Sequence, residues 1–225
     1  MNIELSRINE ELKYNAADYI SQVNAQYLDS LTSIARQIAE QREQKPVILL
    51  SGPSGSGKTT TAFMIEKLLD NMGHETHVLS MDNYFRSLTE EEKVLAAQGK
   101  ADLESPDRID TALLSEQIEA IERCESVDIP RYDFARSERN GVKLTLKRKE
   151  GELVTLEGIH ALNPSVVQVS DDRLWHIYVS VRTRVISGET RLHPSWVRLL
   201  RRMMRDSSFR KRSLEETMNM FASVQ

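Results

Sequence analysis

The chain has 225 residues, 40% of them hydrophobic and 28% charged, a composition that excludes a disordered or collagen-like polymer and suits one α/β domain with or without an added arm. Its single cysteine, Cys124, excludes an intrachain disulfide framework, and the apolar run Val47–Leu50 is far too short to span a bilayer. The net charge of −4 argues against a general polyanion binder, yet residues 182–212 hold ten of the 30 basic and only two of the 34 acidic side chains, a focused anion-attracting segment.

Residues 1–45 contain neither glycine nor proline. Apolar residues recur at steps of three and four from Leu5 through Ile8, Leu12, Ala16, Ile20, Val23, Tyr27, Leu31, Ile34 and Ile38, which predicts an amphipathic helix or a helical pair. Glu4, Arg7, Glu10 and Glu11 leave no room for a secretory apolar stretch, so a cytoplasmic protein is expected. From Pro46 the texture changes. Val47–Leu50 reads as a buried parallel strand, followed by a glycine-rich loop and a helix through Ala62, Ile65 and Leu69 that Gly73 would stop. His77–Met81 reads as a strand, Thr111–Arg123 as a helix, and Val127–Phe134, Lys143–Lys147, Leu153–Ile159 and Leu174–Val181 as further strands. Pro194–Arg205 and Ser213–Ala222 read as helices, Pro194 fitting a first turn. Strands alternating with helices imply an α/β fold with a mostly parallel sheet, helices on both faces and an N-terminal helical arm; the G-x-x-x-x-G-K-T run at 52–59, just after the first of these strands, makes that sheet P-loop NTPase-type. The expected division is an arm at 1–45 and a main domain at 46–225, with an Arg-rich segment, a candidate lid, at about 195–217.

One segment carries chemistry on its own. Gly52-Pro53-Ser54-Gly55-Ser56-Gly57-Lys58-Thr59 satisfies G-x-x-x-x-G-K-[ST] between a predicted strand and a predicted helix. Glycines let the backbone turn its N–H groups toward phosphate oxygens, and the helix that follows adds its positive end. Lys58 supplies a cation at the outer phosphates and Thr59 a hydroxyl for Mg²⁺. The expected nucleotide contacts are Gly52, Ser54, Gly55, Ser56, Gly57, Lys58, Thr59 and Thr60. No N-K-x-D element follows, which argues against a GTPase.

Further along, LSMDNYF (79–85), ESPDRID (104–110), IPRYDF (129–134), LEGIHAL (156–162) and RRMMRDSSFRKRSLEET (201–217) occur in this order. The set resembles the uridine kinase / phosphoribulokinase family of P-loop kinases, most of all its uridine–cytidine kinases, over about residues 45–222. The resemblance implies transfer of a phosphoryl group from ATP, with Mg²⁺, to a primary hydroxyl such as the 5′-hydroxyl of uridine or cytidine. Asp82, at the end of a strand where ligands sit in open α/β sheets, takes the role of base for the acceptor hydroxyl. The resemblance places Glu157 beside the Mg²⁺ held by Thr59. Arg202, Arg205, Arg210 and Arg212 are the lid arginines, Arg202 and Arg205 acting on the moving phosphoryl and Arg210 and Arg212 on the nucleotide. By the same mapping Phe85, Glu104, Tyr132, Phe134, Ser137 and Arg139 surround the acceptor.

The chain departs from that pattern at Glu104, where the relatives carry an aspartate for the ribose hydroxyls, and at Ser137, where they carry a base-reading histidine. His160 is more like the phosphoribulokinase branch. An alternative acceptor is therefore another small alcohol such as ribulose 5-phosphate, pantothenate or glycerate, with Arg131, Arg136 and Arg139 as spare cations for an anionic group. A second alternative is a nucleotide-binding regulatory module without turnover, consistent with the chain's ending sooner than family members usually do. The expected partner is a small molecule, not nucleic acid, because the basic cluster lacks interleaved aromatics, and not a membrane. The apolar arm and the resemblance leave room for a homo-oligomer.

Overall fold

A computed structural model describes residues 2–98, 100–210 and 213–221, without the side chains of Ala97, Phe209, Arg210, Asn219 and Met220. In chain order the elements begin with β1 (Asn2–Glu4), α1 (Leu5–Glu40), β2 (Val47–Ser51), α2 (Lys58–Asn71) and β3 (Thr76–Ser80). Then come α3 (Glu90–Ala97), α4 (Thr111–Glu122), β4 (Ser126–Asp133), β5 (Glu138–Lys147), β6 (Leu153–Glu157) and β7 (Leu174–Tyr178). The chain closes with β8 (Arg184–Ser187), β9 (Thr190–Leu192), α5 (Pro194–Arg210) and α6 (Leu214–Phe221). These elements fall into two compact units, one made of residues 36–52 and 58–178, the other of residues 1–35, 53–57 and 179–225.

The larger unit is built on a parallel sheet of order β3-β6-β2-β7, the α/β arrangement that the alternation of elements predicts, with helices on both faces. Every residue of β2 and β6 is buried, as a parallel sheet covered on both sides requires. Val47 and Leu49 of β2 sit beside Val154 and Leu156 of β6 and share a core with Leu114, Ile118 and Ile121 of α4. Their neighbours Ile48 and Leu50 point to the opposite face by strand alternation, and α2 packs on β2, β3 and β6 through buried Ala62, Ile65 and Leu69. Gly73 stops α2 with φ +85°, as the sequence predicts.

The segment 126–147 folds as an antiparallel hairpin in which β4 and β5 pair only with each other among the described residues. Its register slips around Pro130, which has no N–H to give to a ladder. β4 ends at Asp133, one residue before the predicted limit, and β5 starts at Glu138, five residues earlier than predicted. α3 was not anticipated, although Thr89 and Glu92 form a capping box at its start that the sequence T-E-E-E displays.

In the other unit β1 pairs in parallel with β8, which pairs antiparallel with β9. The helical-pair reading of residues 1–45 is realised as a break inside α1 at Asn15 (φ −156°, ψ 89°), whose Oδ1 accepts the Asp18 N–H at 3.2 Å and caps the second stretch. No residue from Asn2 to Ser30 is buried; burial begins at Leu31 and Ala35. Among the described residues no helix is long and apolar enough to cross a membrane.

Candidate active site

Three strands of the larger unit end at the same place. β2 runs into the glycine-rich loop, β3 into a 3₁₀ turn at Met81–Tyr84 that carries Asp82, and β6 ends on Glu157. The in-register pair Ser80↔Glu157 sets the last two strand ends side by side. Ser80 accepts the Asp82 N–H at 3.4 Å and so caps the turn, and Asn83 Nδ2 donates to the Ser80 carbonyl at 3.1 Å. Glu157 is buried and hydrogen-bonded to the hydroxyls of Ser80 and Thr59. Burial pushes its carboxyl above the usual range; the Lys58 charge opposes the rise and the Asp82 charge adds to it. Lys58, Thr59, Asp82 and Glu157 are thus brought within mutual electrostatic reach. A threonine hydroxyl against a buried carboxylate, with a second carboxylate close by, is an all-oxygen donor set of the kind hard Mg²⁺ takes. Ser80 was missed in the sequence, its only signal being its place as the last strand residue before Met81-Asp82-Asn83.

Asp82 also lines a cleft of ≈ 380 Å³ with Ser80, Asn83, Arg131, Tyr132, Phe134 and Lys143. Tyr132 stacks edge-on with Phe85 at 5.6 Å and with Phe134 at 5.0 Å. Phe85 and Tyr132 are buried, whereas Phe134 is 63% exposed, free of the core and facing the cleft. Arg108, which the sequence reading passed over inside ESPDRID, lies 4.8 Å from the Phe85 ring centre and donates through Nη2 to the Tyr132 hydroxyl at 2.7 Å. The other expected acceptor contacts are not among the cleft-lining residues. Ser137 sits in the hairpin turn with φ +54°, its carbonyl accepting the Leu88 N–H. Arg139 forms an ion pair with Asp110 at 2.9 Å. Glu104 lies in the loop before a short 3₁₀ turn, and its carbonyl accepts from His160 Nε2 at 2.6 Å, which gives His160 a bracing task on the backbone.

The rest of the glycine-rich loop, residues 53–57, belongs to the other unit together with α5. Gly55 has φ +78°, and a Cβ there would stand 2.6 Å from the Arg198 carbonyl oxygen; a Cβ on Gly57 (φ +102°) would stand 2.9 Å from Arg201 Nη2. Ser54 Oγ accepts from Arg202 Nη1 at 2.9 Å. Ser56 Oγ is buried with no hydrogen-bond partner among the described residues, a donor that a phosphate oxygen would satisfy. Arg202 is 1% exposed and faces Asp206 at 3.6 Å, while Arg205 bonds the same carboxylate at 2.7 Å. Two arginines expected at the phosphoryl group therefore share a buried aspartate. Arg201, exposed and directed at the loop glycine, was not among the expected site residues; its i, i+4 spacing to Arg205 shows in sequence that the two share a helix face, and not what that face meets. The Arg210 side chain and Arg212 lie outside the described residues. Gly52 ends the sheet-side approach and Thr60 stands in the first turn of α2, exposed.

The glycine-rich loop that leaves β2 and leads into α2 defines a P-loop protein. Residues 47–225 match the phosphoribulokinase / uridine kinase family, and the chain belongs to it. It is 30% identical to the uridine kinase of Halobacterium salinarum over 175 residues, which cover 78% of this chain and 68% of that protein. To the uridine kinase of Staphylococcus aureus it is 30% identical over 181 residues, 79% of this chain and 76% of that protein. Solved structures share the fold at lower identity. A candidate fructose transport system kinase from Silicibacter sp. TM1040 superimposes with a TM-score of 0.58 at 17% identity, covering 86% of this chain and 88% of that one. A possible uridine kinase from Bacillus stearothermophilus gives 0.51 at 18% identity, covering 67% and 79%.

Proposed function

We propose that the protein is an ATP- and Mg²⁺-dependent nucleoside kinase that phosphorylates the 5′-hydroxyl of uridine or cytidine. The observation that carries this reading is the placement of Asp82, which shares one strand-end cluster with Lys58, Thr59 and Glu157 and also lines an aromatic-walled cleft. In the proposed reaction the acceptor lies in that cleft against Tyr132 and Phe134. Asp82 orients its hydroxyl and accepts the proton, help typically worth ~10²–10⁴-fold. Thr59 and Glu157 hold the Mg²⁺, which when bound neutralises phosphate charge. Lys58 and the arginines of α5 stabilise charge on the phosphoryl group in flight. The loop amides, the Ser56 hydroxyl and Thr60 hold the nucleotide.

One observation favours a second reading. Arg131 and Lys143 line the same cleft as Asp82, and two cations there suit an acceptor bearing a phosphate or carboxylate better than an uncharged nucleoside. The test is a coupled phosphoryl-transfer assay with Mg·ATP against uridine, cytidine, adenosine, ribulose 5-phosphate, pantothenate and glycerate, with a no-acceptor control. Turnover with pyrimidine nucleosides alone supports the first reading. Turnover with an anionic acceptor, lost in Arg131→Ala, replaces it with the second. Nucleotide binding without turnover on any acceptor would point instead to a regulatory module.

A further inference from the structure

At the other end of β3 and β6, away from Asp82 and Glu157, three ligating side chains meet. Glu75 immediately precedes β3, His77 is its second residue, and Glu152 immediately precedes β6. The register Thr76↔Leu153 and His77↔Val154 sets Glu75 beside Glu152 and His77 diagonal to it, and i, i+2 spacing places Glu75 and His77 on one face of the strand. One ligand atom from each residue lies within 4.8 Å of the other two. Glu152 is buried, His77 half-buried and Glu75 exposed.

The separations suit a particular metal geometry. His77 Nε2 stands 3.3 Å from Glu152 Oε2. Two ligand atoms each ~2.05 Å from a tetrahedral Zn²⁺ stand about 3.3 Å apart. An ion can therefore take the place of the proton between these two atoms without either moving, and only exposed Glu75 has to close in. The remaining bonds of Glu152 survive this. Lys149 Nζ is on the other oxygen, Oε1, at 3.0 Å, and the Lys149 N–H reaches Oε2 at 2.9 Å. Both would then act as outer donors that orient the ligating carboxylate, the usual second layer of a metal centre. Glu66 of α2 interacts with His77 and adds negative potential around the imidazole.

We propose that Glu75, His77 and Glu152 form a binding site for a divalent cation of the zinc class, with water as the fourth ligand. One imidazole nitrogen and two carboxylate oxygens select Zn²⁺ or Co²⁺ over Mg²⁺, which keeps to oxygen and to octahedral geometry. The site is separate from the Thr59–Glu157 pair, lying four to five strand residues, ~13–17 Å, back along β3 and β6. A cation there pins together the two strands that lead to Asp82 and Glu157.

The experiment uses full-length protein stripped of metal by chelator and titrated with Co²⁺ and with Zn²⁺, followed by the visible absorption of tetrahedral Co²⁺ and by calorimetry. The expected result is one equivalent bound with a tetrahedral cobalt spectrum. In His77→Ala and in Glu75→Gln the affinity falls by at least about tenfold, while it is unchanged in Glu157→Gln and His176→Ala. At a free Zn²⁺ concentration of about 100 Kd, the thermal midpoint of the unmodified chain rises by ~5–10 °C and that of His77→Ala does not. Absence of uptake by the unmodified chain overturns the proposal. So does equal uptake by His77→Ala, or a loss of uptake in Glu157→Gln that would move the ion to the other end of the strands. Circular dichroism of each variant separates loss of a ligand from loss of the fold.

Discussion

Asp82 and Asp110 show how position divides the duties of one residue type. Asp82 stands on a 3₁₀ turn at the mouth of a cleft. Asp82→Asn keeps the size and the turn but removes the proton acceptor, and we expect kcat to fall by ~10²–10⁴-fold with ATP affinity nearly unchanged; a steady-state assay beside an ATP-binding isotherm reads both, and undiminished turnover would sink the assignment. Asp110 instead caps α4, accepting the Leu113 N–H at 3.3 Å, and pairs with Arg139. Burial raises its carboxyl, but the Arg139 hydrogen bond and the helix amide outweigh this and hold it below the usual range. The stabilisation it supplies is thus present above the unfolded value of about 3.9 and lost as pH falls through the lower folded value. Asp110→Ala is expected to cost about 1–2 kcal/mol at neutral pH, with the gap to the parent narrowing as pH falls below about 4. Urea midpoints at pH 7 and pH 3 check it; an equal gap at both would remove the ionised carboxylate from the explanation.

Glycines and arginines set how the elements meet their neighbours. A Cβ at Gly158, just past β6, would meet Met81 Cβ at 2.5 Å, so the approach of β6 to the Asp82 turn depends on a hydrogen at that position. Gly158→Ala is expected to cost about 1–3 kcal/mol, as overpacking does, and to depress kcat by shifting the Asp82 turn. Gly141→Ala, in β5 with φ +70° but open space around it, should cost only ~1 kcal/mol of backbone strain. Comparison of the two thermal midpoints decides whether crowding or conformation governs Gly158. On α5, Arg202 and Arg201 are adjacent in sequence but opposite in environment. Arg202→Ala leaves a buried aspartate with less compensation and should cost about 3 kcal/mol. Arg201→Ala should leave stability within ~0.5 kcal/mol while weakening ATP use. If Arg201→Ala proved as destabilising as Arg202→Ala, the exposed arginine would have a packing role.

Across the whole molecule, stretches far apart in the chain are grouped together. Residues 1–35, 53–57 and 179–225 form one compact unit from three distant stretches, tied by the β1–β8 pairing. We propose that residues 1–45 act as an arm on a kinase domain spanning 46–225, with residues 195–217 as its lid. Removing 1–35 strips β1 from β8 and leaves residues 36–52 with the larger unit, so the shortened chain is expected to keep slow hydrogen exchange in β2, β3, β6 and β7 and to lose it in β8, β9 and α5. Equal protection in both chains would show that the arm contributes no order to the lid segment.

Much of this was legible in the sequence because its cause is local. The phosphate loop needs glycines at set places between an apolar strand and a helix, and residues 47–71 display all three in order. The periodicity of residues 1–45 announced helix, and Gly73 announced the end of α2, because backbone conformation is set within a turn or two of chain. Strand ends placed Asp82 and Glu157 where ligands gather, and the family resemblance supplied their expected roles. The tertiary structure alone decided what depends on register between distant segments. It placed β4 and β5 in a hairpin of their own, since apolar alternation does not say which strand a strand will pair with. It set Arg108 over Phe85 and Tyr132, and it gave Arg202 and Arg205 a common aspartate in place of open solvent. It brought His77 to Glu152 across 75 residues of chain. Spacing along one chain reports which side chains share a face; which faces meet is settled by the burial of the whole core, and chemistry made of meeting faces appears only once the chain has folded.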